Sequence, residues 1–307
     1  MRIQLFSWGH VILLLSTVLA GAGLIVLFAL WLKKHPKASK ITIALLLFFG
    51  LVIHFLRLAF TEYRVFPWSI QYITPMSISA FNALTFFFIF LWGNKMWKSY
   101  MFYVGIFTGV MACLLPITAY GRPAFGFDAI RFFVIHGIIC IAPILMVISG
   151  NYRPNWRSAY FAPLLITVVL LVVLIDEVML TALGIVDQDM GTLLSHADRN
   201  GALVWGPEPQ GGVATTIFNA LCPKFFKTAL FDIPSIGLLK GDLIYWPVIW
   251  IVIPGLCIVS PVCLLIGIGF DFKSFKRDMK ICWYTLKRNK TKVTELRAQR
   301  KLRKIKR

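Results

Sequence analysis

Seven long apolar runs, separated by polar loops, constrain the fold of this chain more than any other sequence feature. A helix needs about 20 apolar residues to cross roughly 30 Å of hydrocarbon, and its backbone must satisfy its own hydrogen bonds there. Hydrophobic residues make up 58% of the 307 residues and charged residues 15%, which excludes an ordinary soluble domain. We therefore predict an all-α membrane protein, a seven-transmembrane-helix bundle. Its predicted spans are 10–32, 41–60, 70–93, 99–120, 129–149, 159–184 and 243–269.

The basic residues predict the orientation, because they fall on every second loop. The loops after the first, third and fifth spans carry Lys33, Lys34, Lys37, Lys40, Lys95, Lys98, Arg153 and Arg157. The positive-inside rule then predicts an N-terminus outside, a C-terminus inside and a long outer loop over 185–242. A signal peptide is the alternative interpretation of residues 1–32, but the apolar run is too long and its positive charge follows it. We expect a multi-pass protein of the plasma membrane.

The last segment, 270–307, is a basic cytoplasmic tail outside the transmembrane domain of residues 1–269. It holds 15 Lys and Arg residues against Asp271, Asp278 and Glu295, and so contributes most of the net charge of +19. Basic residues beside a membrane attract anionic lipid at about 1 kcal/mol each. We predict anionic inner-leaflet lipid as its partner. Nucleic acid is the alternative, which a membrane-tethered segment with few aromatic residues disfavours.

Polar and ionisable side chains within the predicted spans are candidates for a site, because each is costly to bury in lipid. Counted along the helices at about 1.5 Å per residue, they lie at one level, roughly 5–13 Å below the outer surface. These residues are His54, Arg57, Ser79, His136, Asp176 and Glu177. Asn82 shares a helical face with Ser79. The structural alternative is that the charges neutralise one another and that Ser79 bonds its own backbone.

Cofactor and metal chemistry have no sequence support in this chain. The six cysteines lack zinc-ligand spacing, and there is no phosphate-binding glycine loop or dinucleotide fingerprint. We therefore expect no cofactor and no metal.

Several blocks of the chain resemble the bacterial YwaF-type integral membrane family, which looks related to an animal transmembrane acyltransferase that remodels ether phospholipids. The matching blocks are Phe107–Gly109, Tyr120–Gly121, Arg131–Phe133 with His136, Ala142–Pro143, Tyr152–Pro154, Trp156–Ser158, Ala214–Pro223 and Ile244–Pro247, with His10 near the start of the first span. The resemblance implies an acyl site that contains His136 and a nucleophile on the third span.

This chain departs from the family at the nucleophile. The family carries a Leu-Pro-Leu-(His or Glu)-Leu-Cys stretch in its third span, whose cysteine carries the acyl group in the animal enzyme. The segment 74–79 reads Thr-Pro-Met-Ser-Ile-Ser, so Ser79 takes the place of the cysteine and Ser77 that of the acidic residue or histidine. A serine hydroxyl needs a base for activation, and His136 is the available base. A similar hydroxyl–histidine pair looks plausible in the related androgen-inducible membrane hydrolases.

The leading hypothesis is an outward-facing lipid or acyl site that acts in acyl transfer or lipid hydrolysis. Ser79 would be the nucleophile, His136 the base, Asp176 or His54 the orienting group, and Arg57 the binder of a phosphate or carboxylate, with Asn82 and Glu177 as further binding residues. A transporter of a small polar or anionic solute remains an alternative, since the same side chains would line a path. A non-catalytic membrane scaffold that binds a protein partner is the third. We expect membrane lipids as partners; the sequence identifies no protein partner.

Overall fold

The computed structural model describes residues 1–60, 63–186, 201–207, 212–232, 234 and 237–305, and these residues are helical without any strand. The first six helices are α1 (Trp8–Leu30), α2 (Pro36–Phe55), α3 (Ile78–Trp92), α4 (Lys95–Leu114), α5 (Phe127–Ile148) and α6 (Phe161–Ala182). The next three are α7 (Gly212–Leu221), α8 (Ile249–Phe270) and α9 (Phe272–Ile305). The predicted all-α class is confirmed for the described residues.

Within the described residues, five helical segments are long and apolar enough to cross a membrane. They are Trp8–Lys34, Pro36–Ala59, Phe127–Ile148, Trp156–Ala182 and Ile249–Phe270. These segments make the chain a multi-pass membrane protein. The other two predicted spans coincide with α3, a shorter apolar helix of 15 residues, and with α4, whose first turn carries Lys95 and Lys98.

The third helix begins eight residues later than the predicted span 70–93. Residues 68–72 form a 3-10 turn instead, and α3 starts at Ile78. Pro75 lacks a backbone N–H and disfavours helical geometry at the residue before it. Ser77 then caps the helix: its backbone is extended, with φ −158° and ψ 164°, and its hydroxyl accepts a hydrogen bond from the N–H of Ala80. Ser79 therefore lies in the first turn of α3 rather than in the middle of a long helix.

Helix α5 is central to the bundle and packs against α1, α2 and α4. Small residues allow the close approach of α4. A Cβ atom on Gly109 would lie 2.7 Å from the carbonyl oxygen of His136, and one on Gly105 would lie 2.9 Å from that of Ile139. This spacing of two glycines one turn apart lets the two backbones touch, as in other membrane helix pairs. The contact between Gly109 and the His136 carbonyl sets the position of His136 along the axis of α4.

The tail continues from the last apolar helix as α9, and its first turns contact the turn that precedes α6. Asp278 accepts hydrogen bonds from the indole N–H of Trp156 at 3.0 Å and from Nε of Arg157 at 2.7 Å. Both donors belong to the 3-10 turn Trp156–Tyr160 that precedes α6. The first turns of α9 are thereby held against the end of the bundle.

Candidate functional site

A cavity of about 650 Å³ lies where the end of α2, the start of α3 and the first half of α5 meet. Four of the predicted site residues line it: His54, Arg57, Ser79 and His136. The sequence prediction that polar groups from several helices converge is therefore supported for these four. A volume of this size is typical of sites for small molecules or for part of a lipid.

Ser79 and His136 are in direct contact across the cavity wall. Nε2 of His136 lies 3.0 Å from Oγ of Ser79. Nδ1 of the same ring lies 2.7 Å from the carbonyl oxygen of Phe132, one turn earlier on α5. A hydroxyl, a ring and a fixed acceptor thus form one chain of hydrogen bonds.

The Phe132 carbonyl determines which ring nitrogen of His136 carries the proton. A carbonyl oxygen only accepts, so Nδ1 must be the protonated nitrogen. In the neutral ring Nε2 is then an acceptor, and the hydroxyl of Ser79 donates to it. This is the orientation that a general base requires toward a nucleophilic hydroxyl.

The position of Ser79 on α3 adds to this arrangement. It is the second residue of a 15-residue helix whose first turn has backbone N–H groups without partners inside the helix. The N-terminal end of a helix carries a partial positive charge. That charge stabilises negative charge that develops on or beside Ser79.

Three arginines and one carboxylate lie on the same cavity. Asp128 is ion-paired with Arg122, and its Oδ1 lies 3.6 Å from Nε of Arg131. The hydroxyl of Tyr63 donates a hydrogen bond to Asp128. Arg57 donates from Nη1 to the carbonyl oxygen of Tyr72 at 3.0 Å. All of these side chains belong to the cavity lining.

Tyr63 lies in the loop after α2, and its pKa is shifted by this environment. Burial raises the pKa of the phenol, and the hydrogen bond to Asp128 raises it further. The phenol therefore stays protonated and remains a donor to the carboxylate.

The remaining predicted site residues lie elsewhere in the described part of the chain. Asn82 is fully buried, and its amide oxygen accepts a hydrogen bond from the Tyr100 hydroxyl at 2.7 Å. Glu177 is also buried and accepts from the indole N–H of Trp205. Asp176 and Glu177 are not among the described residues that line the cavity. Instead of the predicted carboxylate or His54, the Phe132 carbonyl contacts Nδ1 of His136.

Arg57 contacts groups other than Asp176 and Glu177, the carboxylates with which mutual neutralisation was the structural alternative. The groups that act electrostatically on Arg57 include Tyr63, Asp128, Arg122 and Tyr72. The chain after α2 folds back over its end and carries Tyr63 and Tyr72 to Arg57, which removes the need for a partner from α6.

Sequence reasoning did not identify Asp128, Arg122 and Tyr63 as cavity residues. One signal was available, because Asp128 and Arg131 are spaced i, i+3 at the start of an apolar helix, where side chains meet. No sequence signal places Tyr63 or Arg122 beside them, since both come from loops.

His10 has a structural role rather than a place in this cavity. Its Nε2 lies 2.9 Å from the carbonyl oxygen of Cys113, and its Nδ1 accepts from the N–H of Phe6 at 3.2 Å. Both nitrogens are satisfied within the protein. Within the described residues, no group of three His, Cys, Asp or Glu side chains is arranged to hold a metal ion.

Comparison with known proteins identifies a family for most of the bundle. No curated protein and no solved structure matches the chain. The model of the TMEM164 family matches residues 5–209, a segment that contains Ser79, His136 and the arginines of the cavity. The bacterial YwaF-type assignment stays a prediction, and its blocks at 214–223 and 244–247 lie beyond the matched segment. Because the match covers well over half of the sequence, this chain belongs to the TMEM164 family.

Proposed function

We propose that this membrane protein transfers or hydrolyses acyl groups of lipids, with Ser79 as the nucleophile and His136 as the general base. The observation that carries the proposal is the chain of hydrogen bonds from Ser79 Oγ to His136 Nε2 and from Nδ1 to the Phe132 carbonyl oxygen. The apolar surroundings of the cavity suit an acyl chain. The resemblance to a family with a cysteine at the position of Ser79 supports the same assignment.

The proposed reaction has two steps. In the first, Ser79 Oγ attacks the acyl carbonyl carbon and its proton passes to His136 Nε2. The bond between that carbon and the departing alcohol oxygen breaks, and the alcohol takes the proton from Nε2. In the second, water or a lipid hydroxyl attacks the carbonyl carbon of the acyl-serine and gives its proton to His136 Nε2. The bond from that carbon to Ser79 Oγ breaks, and Oγ takes the proton back from Nε2 as the acid or new ester leaves. The Phe132 carbonyl holds the imidazole in the required tautomer, the role that a carboxylate has in other triads.

The proposal includes the topology of the bundle. The protein would lie in the plasma membrane, and seven helices, α1 to α6 and α8, would cross it. The N-terminus would be outside the cell and α9 in the cytoplasm. The clustering of Lys and Arg on alternate loops supports this orientation. The cavity would then open in the outer half of the bilayer, and the basic tail would contact anionic lipid of the inner leaflet.

A serine-directed lipid phosphonate probe tests the catalytic assignment on the full chain in membranes. We expect covalent labelling of the wild type, no labelling of Ser79→Ala, and labelling of His136→Ala slowed by about 100-fold or more. Ser149→Ala is the matched control, because its hydroxyl contacts the backbone at the end of α5. Labelling of Ser79→Ala at the wild-type rate would overturn the assignment and favour a transport or scaffold function.

A further inference from the structure

The described cavity lining holds three arginines and one carboxylate. Asp128 is ion-paired with Arg122, and its Oδ1 lies 3.6 Å from Nε of Arg131. Among the described residues, neither Arg57 nor Arg131 is hydrogen-bonded to a carboxylate. The side chain of Arg131 is only 11% exposed. A buried guanidinium without a hydrogen-bonded anion is unfavourable, which makes a negatively charged ligand the natural complement.

Buried nitrogens without a hydrogen-bond partner in the same place point to that ligand. Nε of Arg57 and Nε2 of His54 are buried and have no hydrogen-bond partner. Nε of Arg131 also lacks a hydrogen bond, because Asp128 is 3.6 Å away. His54 itself is only 2% exposed. Buried nitrogens of this kind are normally satisfied, so a group of them beside one cavity is typical of a binding site.

We propose that Arg57, Arg122 and Arg131, beside the ring of His54, form an oxyanion subsite that binds a phosphate group. A phosphate brings roughly −1.5 to −2 charges and three acceptor oxygens, which match the clustered guanidinium groups and their unused donors better than a carboxylate does. Guanidinium groups also present paired N–H donors to phosphate oxygens. Asp128 would set the affinity, because it holds two of the arginines and competes with the ligand for them.

This inference deepens the proposed function, since the subsite shares its cavity with Ser79 and would bind the phosphate of the same substrate. Its test does not depend on the serine, because it measures binding rather than reaction. Ser79→Ala should bind phosphate as the wild type does. Failed phosphonate labelling with intact phosphate binding would then count against the catalytic assignment alone.

The experiment follows the thermal unfolding of the purified full chain as inorganic phosphate replaces chloride at constant ionic strength. A ligand that binds the folded state raises the unfolding midpoint with its concentration. We expect phosphate to stabilise the wild type, and Arg57→Gln and Arg131→Gln to lower the apparent affinity at least tenfold. Asp128→Asn should raise that affinity several-fold, because it frees arginine donors. If Arg131→Gln fails to fold, Arg131→Lys is the alternative variant. It keeps the positive charge but lacks the paired N–H donors of the guanidinium group, so it should still weaken phosphate binding.

Arg64→Gln is the matched control. It removes the same charge from an exposed side chain near the same end of the bundle, outside the described cavity lining. It should titrate like the wild type. The proposal is overturned if phosphate stabilises the wild type no more than chloride does, if the cavity variants titrate like Arg64→Gln, or if Asp128→Asn weakens binding.

A competition arm distinguishes a lipid phosphate from free phosphate. Short-chain phosphatidic acid carries the phosphate on a lipid, and the matching diacylglycerol lacks it. Displacement of inorganic phosphate by phosphatidic acid but not by diacylglycerol would assign the subsite to a lipid head group. Failure of phosphatidic acid to compete, with phosphate binding intact, would assign it to the free ion. Equal competition by both lipids would overturn the subsite, because the phosphate would then contribute nothing.

Discussion

Nε2 of His136 lies 3.0 Å from Oγ of Ser79, although 57 residues separate them in the chain. The contact depends on two backbone features. Ser79 is held by the cap at Ser77, which begins α3, and His136 is held by the close approach of α5 to Gly109 of α4. The alignment is therefore set by helix packing and not by a neighbouring carboxylate.

Gly109→Ala should disrupt this alignment. A methyl group there would lie 2.7 Å from the carbonyl oxygen of His136 and 2.9 Å from the backbone nitrogen of Cys140, so α5 has to move. We expect phosphonate labelling to fall at least tenfold while the bundle stays folded, as measured by circular dichroism. Gly255→Ala is the control, because its added methyl group meets nothing within 4 Å. Equal labelling of the two variants would contradict the packing argument.

Ser79→Cys should convert the proposed acyl-serine into a thioester. The geometry to His136 would be nearly kept, and a thiol is the nucleophile that the resembled family carries at this position. We expect acylation of the variant by an activated acyl donor, with the product cleaved by neutral hydroxylamine. The oxygen ester of the wild type should resist that treatment. Ser77→Cys is the comparison, since this neighbour lies at the helix cap; equal acylation of it would argue against a unique nucleophile.

The sequence predicted the helices well because apolar runs in lipid have few alternatives. Depth along the helices grouped His54, Arg57, Ser79 and His136, which line one cavity, but it also grouped Asp176 and Glu177, which are not among the described lining residues. Depth along a helix follows from residue counting, since each residue adds a fixed rise. Direction around the helix axis is less certain, which is why Asn82 was expected in the site and is bound instead to Tyr100.

The parts that sequence reasoning missed depend on loops and on tertiary packing. Trp205, which contacts Glu177, comes from the loop before α7, so no helical period could have predicted that pair. His136 is oriented by the main-chain carbonyl of Phe132. Because every residue has such a carbonyl, the sequence could not single this one out. The late start of α3 was predictable in principle, because Pro75 followed by Ser77 is a typical helix N-terminal signal.

The topology can be tested by labelling single added thiols from outside intact cells. Lys37, in the first turn of α2, and Arg64, in the segment after α2, are both exposed and lie at opposite ends of this helix. In a background without the exposed Cys257 and Cys282, Arg64→Cys should react with an impermeant maleimide and Lys37→Cys should react only after permeabilisation. The reverse pattern would invert the orientation.

The tail should bind anionic lipid in a salt-dependent manner. Charges that are exposed are screened over about 10 Å at 0.1 M salt and about 3 Å at 1 M. The full chain, reconstituted with its tail accessible, should recruit vesicles that contain phosphatidylserine at low salt and release them at high salt. A chain that ends before Phe272 should recruit none and still fold. Recruitment that persists at high salt would contradict an electrostatic mechanism.

The contact between Asp278 and Arg157 should hold the first turns of α9 against the bundle over a wide pH range. The hydrogen bond from Arg157 lowers the pKa of Asp278 below its ordinary value of 3.8. A carboxylate with a depressed pKa contributes its stabilisation above the ordinary value, and loses it only as the pH falls through the depressed one. Relative to the intrinsic exchange rate at each pH, the protection of residues 273–284 against hydrogen exchange should therefore stay constant from neutral pH to about pH 4 and fall below it.

Asp278→Asn should lower that protection at neutral pH to the level that the wild type reaches at low pH, and so remove the pH dependence. Glu295→Gln changes the charge of the same helix by the same amount, and it should leave both the protection and its pH dependence unchanged. If the two variants behave alike, net charge and not the contact with Arg157 and Trp156 holds the tail. Protection that survives in Asp278→Asn would show that packing of α9 alone is sufficient. The contact would then have no measurable part in positioning the basic helix at the membrane surface.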